Sequence, residues 1–87
     1  MTREKEIEIL MKDRCTKKEA ENALKRGTVV YPDFEENLES YLEEFKECGY
    51  DEEEIENIRR MVETKKETID WSIVELDEKR YYIRYVN

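Results

Sequence analysis

The chain has 87 residues, 46% of them charged, and a formal net charge of −8. A chain of this length buries one small hydrophobic core, which excludes a second domain and predicts a single domain over residues 1–87. No stretch is apolar enough to cross a membrane, and the first residues lack the apolar run of a secretory signal, so we expect a cytoplasmic protein that does not contact membranes.

The first two thirds of the sequence predict four helices, at about residues 3–13, 17–26, 34–48 and 52–66. Apolar residues recur at steps of three and four in these segments, most regularly in the third. Thr16 and Glu19 have the spacing of a capping box at the start of the second helix, and Gly27 is placed to end it. Asp33 and Asp51 are candidate N-caps of the third and fourth helices.

After the fourth predicted helix the hydrophobic period changes from 3.6 residues to 2. Residues 71–76 and 80–86 are rich in β-branched and aromatic side chains and flank the polar turn 77–79, which predicts an antiparallel β-hairpin. An isolated hairpin is marginal in water, so it must pack on the helices or gain a strand, for which residues 28–31 are the candidate. The predicted fold class is therefore α+β: three to four short helices packed on a C-terminal antiparallel hairpin, or on a three-stranded sheet.

The residue types that most catalytic and metal sites require are missing. The sequence has no histidine, no glycine-rich phosphate loop and no calcium-loop motif. We therefore expect a protein that is not an enzyme, with no catalytic residues, no metal site and no cofactor. Cys15 and Cys48 lie outside any CxxC pair; two buried, reduced thiols are the simpler expectation, and a disulfide between them is the alternative.

Charge is segregated along the chain. Residues 33–56 hold twelve acidic side chains against Lys46 alone, whereas the segments on either side are slightly basic. Glutamates recur at every fourth position of the third predicted helix, where like charges stand about 5–6 Å apart and repel each other. This predicted acidic ridge consists of Glu35, Glu39, Glu43 and Glu47, widened by Glu36 and Glu44.

Two interpretations of the acidic ridge are open at this point. A solvated surface, partly neutralised by basic residues of the next helix, needs no partner; those residues are Arg59, Arg60, Lys65 and Lys66. Alternatively, the ridge docks on the basic surface of a partner protein, because complementary charge steers encounter and raises the association rate. Mimicry of nucleic acid is the sharpest form of this second interpretation. The functional hypothesis is thus a non-enzymatic acidic interaction module, and direct binding of nucleic acid is not expected at this net charge.

The hairpin tyrosines support a different hypothesis. Tyr81 and Tyr85 share one face of the predicted strand, and Tyr82 lies on the other face. If only one face of the hairpin packs on helices, at least one of these rings is exposed and available as a contact. The alternative function is therefore a structural or regulatory subunit that associates through Tyr81, Tyr82 and Tyr85.

Three segments carry a resemblance to known proteins. They are residues 27–37 (Gly-Thr-x-Val-x-x-Asp-Phe-Glu-Glu-Asn), residues 70–74 (Asp-Trp-x-Ile-Val) and residues 81–86 (Tyr-Tyr-Ile-x-Tyr-Val). Through these segments the whole chain is similar to a group of small, uncharacterised bacterial proteins. That mobile genetic elements carry these proteins is a hypothesis that goes with the resemblance. The resemblance implies a bacterial origin and, because that group has no assigned activity, no particular function.

Overall fold

The computed structural model describes residues 1–86, which form four helices and three strands. In chain order they are α1 (Arg3–Asp13), α2 (Lys17–Lys25), β1 (Val29–Tyr31), α3 (Leu38–Glu47), α4 (Glu52–Thr64), β2 (Trp71–Leu76) and β3 (Lys79–Arg84). The strands form one antiparallel sheet in the order β1-β3-β2. The predicted α+β class, the C-terminal hairpin and the third strand are confirmed. None of the helices within residues 1–86 has the length and apolar character to span a membrane.

One face of the sheet is covered by α1 and α2. Side chains alternate between the two faces along each strand, so Val74 of β2 and both Tyr81 and Ile83 of β3 point to this side. The buried residues of this cluster are Ile9, Leu10, Ala20, Ala23, Leu24, Val30, Val74, Tyr81 and Ile83. The two N-terminal helices are therefore held on the sheet mainly by aliphatic side chains, together with the ring of Tyr81.

The opposite face of the sheet is covered by α3 and α4 and is rich in aromatic rings. The buried residues of this aromatic cluster are Phe34, Leu42, Phe45, Ile55, Ile58, Met61, Val62, Trp71 and Tyr82. Phe34 is fully buried, with its ring centroid 5.2 Å from that of Trp71 and 5.3 Å from that of Tyr82. The sheet is thus enclosed between two layers of helices, each with its own hydrophobic cluster.

The prediction of an exposed hairpin tyrosine is wrong for Tyr81 and Tyr82, because both faces of the hairpin pack on helices. Tyr81 is 4% exposed and Tyr82 is 0% exposed, one in each cluster. Tyr85 is half-buried: its hydroxyl donates to Asp13 at 2.7 Å, and the guanidinium of Arg14 lies 4.3 Å from its ring centroid. The hairpin tyrosines therefore hold the layers of the fold together.

The third helix begins later than its sequence pattern predicts. Residues 32–37 form turns, and α3 begins at Leu38 instead of about residue 34. Asp33 does not cap the helix; it accepts hydrogen bonds from Asn37 Nδ2 at 2.9 Å and from the Tyr41 hydroxyl at 2.8 Å. These bonds hold the turns in place while Phe34 enters the aromatic cluster. The apolar pattern in the sequence therefore begins before the helix, because it includes Phe34 in the preceding turns.

The starts of α2 and α4 follow the capping signals in the sequence. Both capping boxes form, at Thr16 for α2 and at Asp51 for α4.

Both cysteines are free thiols, which excludes the disulfide alternative; Cys15 is half-buried and Cys48 is exposed. The expectation of a buried Cys48 is wrong because this residue is the C-cap of α3, beyond Phe45, the last buried position of the helix.

The hairpin turn is shorter than predicted. It contains only Asp77 and Glu78, because Lys79 is already the first residue of β3. Both turn residues have positive φ, 53° and 64°. Two-residue hairpin turns of this kind match the right-handed twist of the strands, although they favour asparagine and glycine at these positions. The turn therefore sets the hairpin register at some conformational cost.

Candidate interaction surface on α3

The candidate site is the outward side of α3. Leu42 and Phe45 face the aromatic cluster, and a helix that buries one stripe presents its other positions to solvent. Glu43, Glu44 and Glu47 are exposed on this outward side. Glu43 and Glu47 stand about 6 Å apart along the helix, a distance at which like charges repel.

Glu39 belongs to the predicted ridge, but it forms an ion pair within the chain. Arg59 of α4 donates to Glu39, and it also donates to Glu56 on its own helix at 3.3 Å. The hydrogen bond to Glu39 raises the pKa of the Arg59 guanidinium above its ordinary value. Arg60, by contrast, donates to Asn57 on its own helix. Of the four basic residues expected to neutralise the ridge, Arg59 is thus the one that pairs with it.

Glu35 is also paired inside the molecule, because the turns before α3 carry it over the hairpin. Its carboxylate accepts hydrogen bonds from Arg80 Nη1 at 2.6 Å and from the Tyr82 hydroxyl at 2.9 Å. Arg80 also donates to Glu75, its cross-strand neighbour on β2, at 2.9 Å. This network ties the turn before α3 to the hairpin, which makes Glu35 a residue of the fold.

The pKa shifts in this network follow from burial and hydrogen bonding. Partial burial acts to raise the pKa of Glu35, but the hydrogen bonds from Arg80 and Tyr82 outweigh it and hold that pKa below its ordinary value. Burial, reinforced by the bond to Glu35, raises the pKa of the Tyr82 hydroxyl. The hydrogen bonds to Glu35 and Glu75 raise the pKa of Arg80. In neutral solution all three groups therefore keep the protonation states that the network requires.

Four carboxylates of the predicted ridge form no ion pair within residues 1–86. They are Glu36 in the turns before α3, and Glu43, Glu44 and Glu47 on the helix, and we call these four residues the acidic face. Lys46 is the one basic residue of α3, and it forms no salt bridge with them. The predicted ridge is therefore not uniform: two members form ion pairs with arginines of the chain, and four do not within residues 1–86.

The pairing of Glu35 could not be read from local sequence. Arg80 lies 45 residues further along the chain, in a strand whose position over the turn depends on the whole fold. The predicted hairpin gives one signal, and it concerns another partner of Arg80. Opposite charges that face each other on two adjacent strands commonly pair, as Glu75 and Arg80 do.

Two open cavities border the sheet on the side of α3 and α4. The first encloses about 360 Å³ between α4 and residues 66–71, with Ile58, Met61 and Trp71 in its lining. The second encloses about 320 Å³ beside the hairpin turn. Five carboxylates line it, from Asp33, Glu35, Glu36, Glu75 and Glu78, against the two cations Lys79 and Arg80. In the described part of the chain, no group of three or more carboxylates or thiols is arranged to hold a metal ion.

Comparison with family models, with curated proteins and with solved structures finds no match to this chain. No relative supplies a substrate, a partner or a set of site residues. The functional inference therefore depends on the geometry of the chain itself.

Proposed function

We propose that the protein is a non-enzymatic interaction module whose acidic face binds a basic surface of a partner protein. The observation that carries this proposal is the division of the predicted ridge. Glu35 and Glu39 have arginine partners of the same molecule, whereas the four residues of the acidic face have no ion pair within residues 1–86. An incoming cation would therefore find unpaired carboxylates on the outward side of α3.

Repulsion within the acidic face supports the same conclusion. Glu43 and Glu47 are an i,i+4 pair of like charge, which destabilises a helix by about 0.2–0.5 kcal/mol. Lysine or arginine groups of a partner would relieve this repulsion on binding. The net charge of −8 would also steer a basic partner towards the chain and raise the association rate at low salt. A groove that normally binds nucleic-acid phosphates is one basic surface of the required kind.

Of the three tyrosines of the alternative hypothesis, Tyr85 is half-buried and stays partly accessible. Tyr81 and Tyr82 are both buried in the hydrophobic clusters, so neither ring can reach a partner without unfolding the hairpin. The acidic face is therefore the surface on which we base the functional proposal.

A comparison of two charge-reversed variants tests the proposal. Glu43→Lys combined with Glu47→Lys reverses two of the three acidic-face charges on α3. The matched control, Glu4→Lys combined with Glu21→Lys, makes the same change in net charge on α1 and α2, where both residues are exposed. Wild type and both variants are immobilised and exposed to a lysate of the source cells at low and at high salt.

We expect the wild type and the control to retain the same basic protein at low salt and to lose it at high salt, because screening weakens exposed charge pairs. The α3 variant should fail to retain it at either salt concentration. Equal loss of the protein from both variants would show that only net charge matters. Retention by the α3 variant would exclude the acidic face as the binding surface.

A further inference from the structure

The outer edge of β2 carries backbone groups that the sheet does not use. Leu76 and Lys79 pair across the two-residue turn, and hydrogen-bonded pairs alternate from there along an antiparallel hairpin. Trp71, Ile73 and Glu75 occupy the other positions of β2. Their N–H and C=O groups consequently point away from β3, towards the open edge of the sheet.

The chain itself covers only the first part of this edge. The Trp71 N–H donates to the Thr68 hydroxyl at 3.2 Å, and the Trp71 carbonyl accepts from the Thr68 N–H at 3.1 Å. The Ile73 N–H reaches a Glu67 carboxylate oxygen at 3.4 Å. Within residues 1–86, the Ile73 carbonyl and both backbone groups of Glu75 have no hydrogen-bond partner. The edge is thus open from Ile73 onwards.

A cavity lies at each end of this edge. Trp71 lines the first cavity, whose rim includes Ile69, a side chain that is 94% exposed. Glu75 lines the second cavity, in which carboxylates outnumber cations. Trp71 and Glu75 are four residues apart, about 13 Å along a strand, and even spacing places them on the same face of the sheet. Because Thr68 already occupies the edge at Trp71, the part of the edge that is open to a partner lies beside the second, acidic cavity.

We propose that the open edge of β2 binds an extended segment of a partner protein as a fourth strand. Main-chain hydrogen bonds at Ile73 and Glu75 would hold the segment, as in other cases of strand addition. Residues opposite one another on adjacent strands share a face, so the segment would place an apolar side chain beside Ile73, which is half-buried. Two residues away, a lysine or arginine opposite Glu75 would enter the acidic cavity. The strand edge is on a different element from the acidic face, and the two sites share only Glu36, which lines the acidic cavity.

Charge favours such a basic segment over a second copy of this chain. Two copies joined edge to edge would bring together two molecules of net charge −8, with Glu67 and Glu75 of each near the new contact. A segment that carries a basic residue meets the same carboxylates with opposite charge. The acidic cavity therefore selects between the two occupants.

A defined peptide tests the proposal on the full chain. The probe is an acetylated eight-residue peptide of alternating valine and threonine, with an arginine two positions before a leucine, so that antiparallel addition places the arginine opposite Glu75 and the leucine opposite Ile73. Binding is followed by the backbone amide NMR shifts of the isotope-labelled protein. We expect the largest shifts at Ile73 and Glu75. The same peptide N-methylated at the amides that face β2 should bind more weakly by about tenfold or more, because it loses at least two hydrogen bonds of about 1 kcal/mol each.

Two substitutions at one position give the matching protein-side test. Glu75→Pro removes the outward N–H without removing a bond to β3, and proline is tolerated at such edge positions. Glu75→Thr keeps the N–H and removes the same carboxylate. We expect the proline variant to bind the peptide more weakly than the threonine variant, by up to about tenfold for the one lost hydrogen bond. The N-methylated peptide keeps the test decisive if the proline variant does not fold.

Three results would overturn the inference. They are equal binding of the N-methylated and unmodified peptides, no binding at millimolar peptide, and a dimer of the free protein that pairs β2 with β2. Amide shifts confined to α3 would also exclude strand addition while leaving the acidic-face proposal intact. Failure of the acidic-face variants described above would leave strand addition unaffected.

Discussion

Removal of the Glu35 carboxylate should destabilise the fold by more than a surface ion pair does. The Glu35 carboxylate accepts a hydrogen bond from the hydroxyl of Tyr82, a residue that is 0% exposed. Glu35→Ala therefore leaves a buried donor without a partner. That loss costs about 1–3 kcal/mol. Arg80 keeps Glu75 as a partner. The loss of its ion pair with Glu35 adds only about 0.2–1 kcal/mol. We expect a decrease of about 2 kcal/mol in the free energy of unfolding.

The assay is urea denaturation followed by the fluorescence of Trp71, the single tryptophan, which lies in the aromatic cluster. A decrease of about 2 kcal/mol corresponds to a lower melting temperature by roughly 10 °C in a domain of this size. Tyr82→Phe, which removes the hydroxyl and leaves Glu35 on Arg80, should cost about 1 kcal/mol. The double variant should be more stable than additivity predicts by about 1 kcal/mol. Strictly additive effects, or a neutral Glu35→Ala, would refute the network.

Two further predictions concern pH and the hairpin turn. Because hydrogen bonds hold the Glu35 pKa below its ordinary 4.5, the stability it contributes is present above that pH and is lost as the pH falls through the lowered pKa. Wild type should therefore lose more stability than Glu35→Gln between about pH 5 and pH 3 in acid unfolding; equal losses would show that Glu35 is not the titrating group. Glu78→Gly should raise the stability by about 0.5–1 kcal/mol in urea denaturation, because glycine adopts positive φ without strain. Glu78→Ala is the control and should give no such gain.

Much of the architecture was predictable because local signals and tertiary structure agree. The capping boxes at Thr16 and Asp51, the change of hydrophobic period before Trp71, and the strand at 28–31 all mark elements that the structure contains. Each signal depends on residues within a few positions of one another, so the rest of the fold does not alter it.

The failures come from contacts between residues that are distant in sequence. Phe34 continues the apolar pattern of α3, but it is buried in the aromatic cluster from a turn and not from the helix. Helices on both faces of the sheet bury Tyr81 and Tyr82, and this second layer has no local signature. Periodicity predicts which residues of a helix or strand share a face. It does not predict which other elements of the fold cover that face.

The candidate site was predictable in composition but not in charge balance. All six glutamates of the predicted ridge lie at exposed positions. Which of them keep an unpaired charge depends on Arg59 in the next helix and on Arg80 in β3. Helical spacing alone treats the six as equivalent, and only the packing of α4 and the hairpin separates them.

The most direct test of the central claim is carboxyl footprinting of the protein with and without the basic partner retained at low salt. Carbodiimide coupling of glycinamide labels exposed carboxylates, and mass spectrometry locates the label. We predict that binding protects Glu36, Glu43, Glu44 and Glu47 and leaves Glu4 and Glu21 fully labelled. Unchanged labelling of α3 in the complex, with protection elsewhere, would contradict the claim that the acidic face is the binding surface.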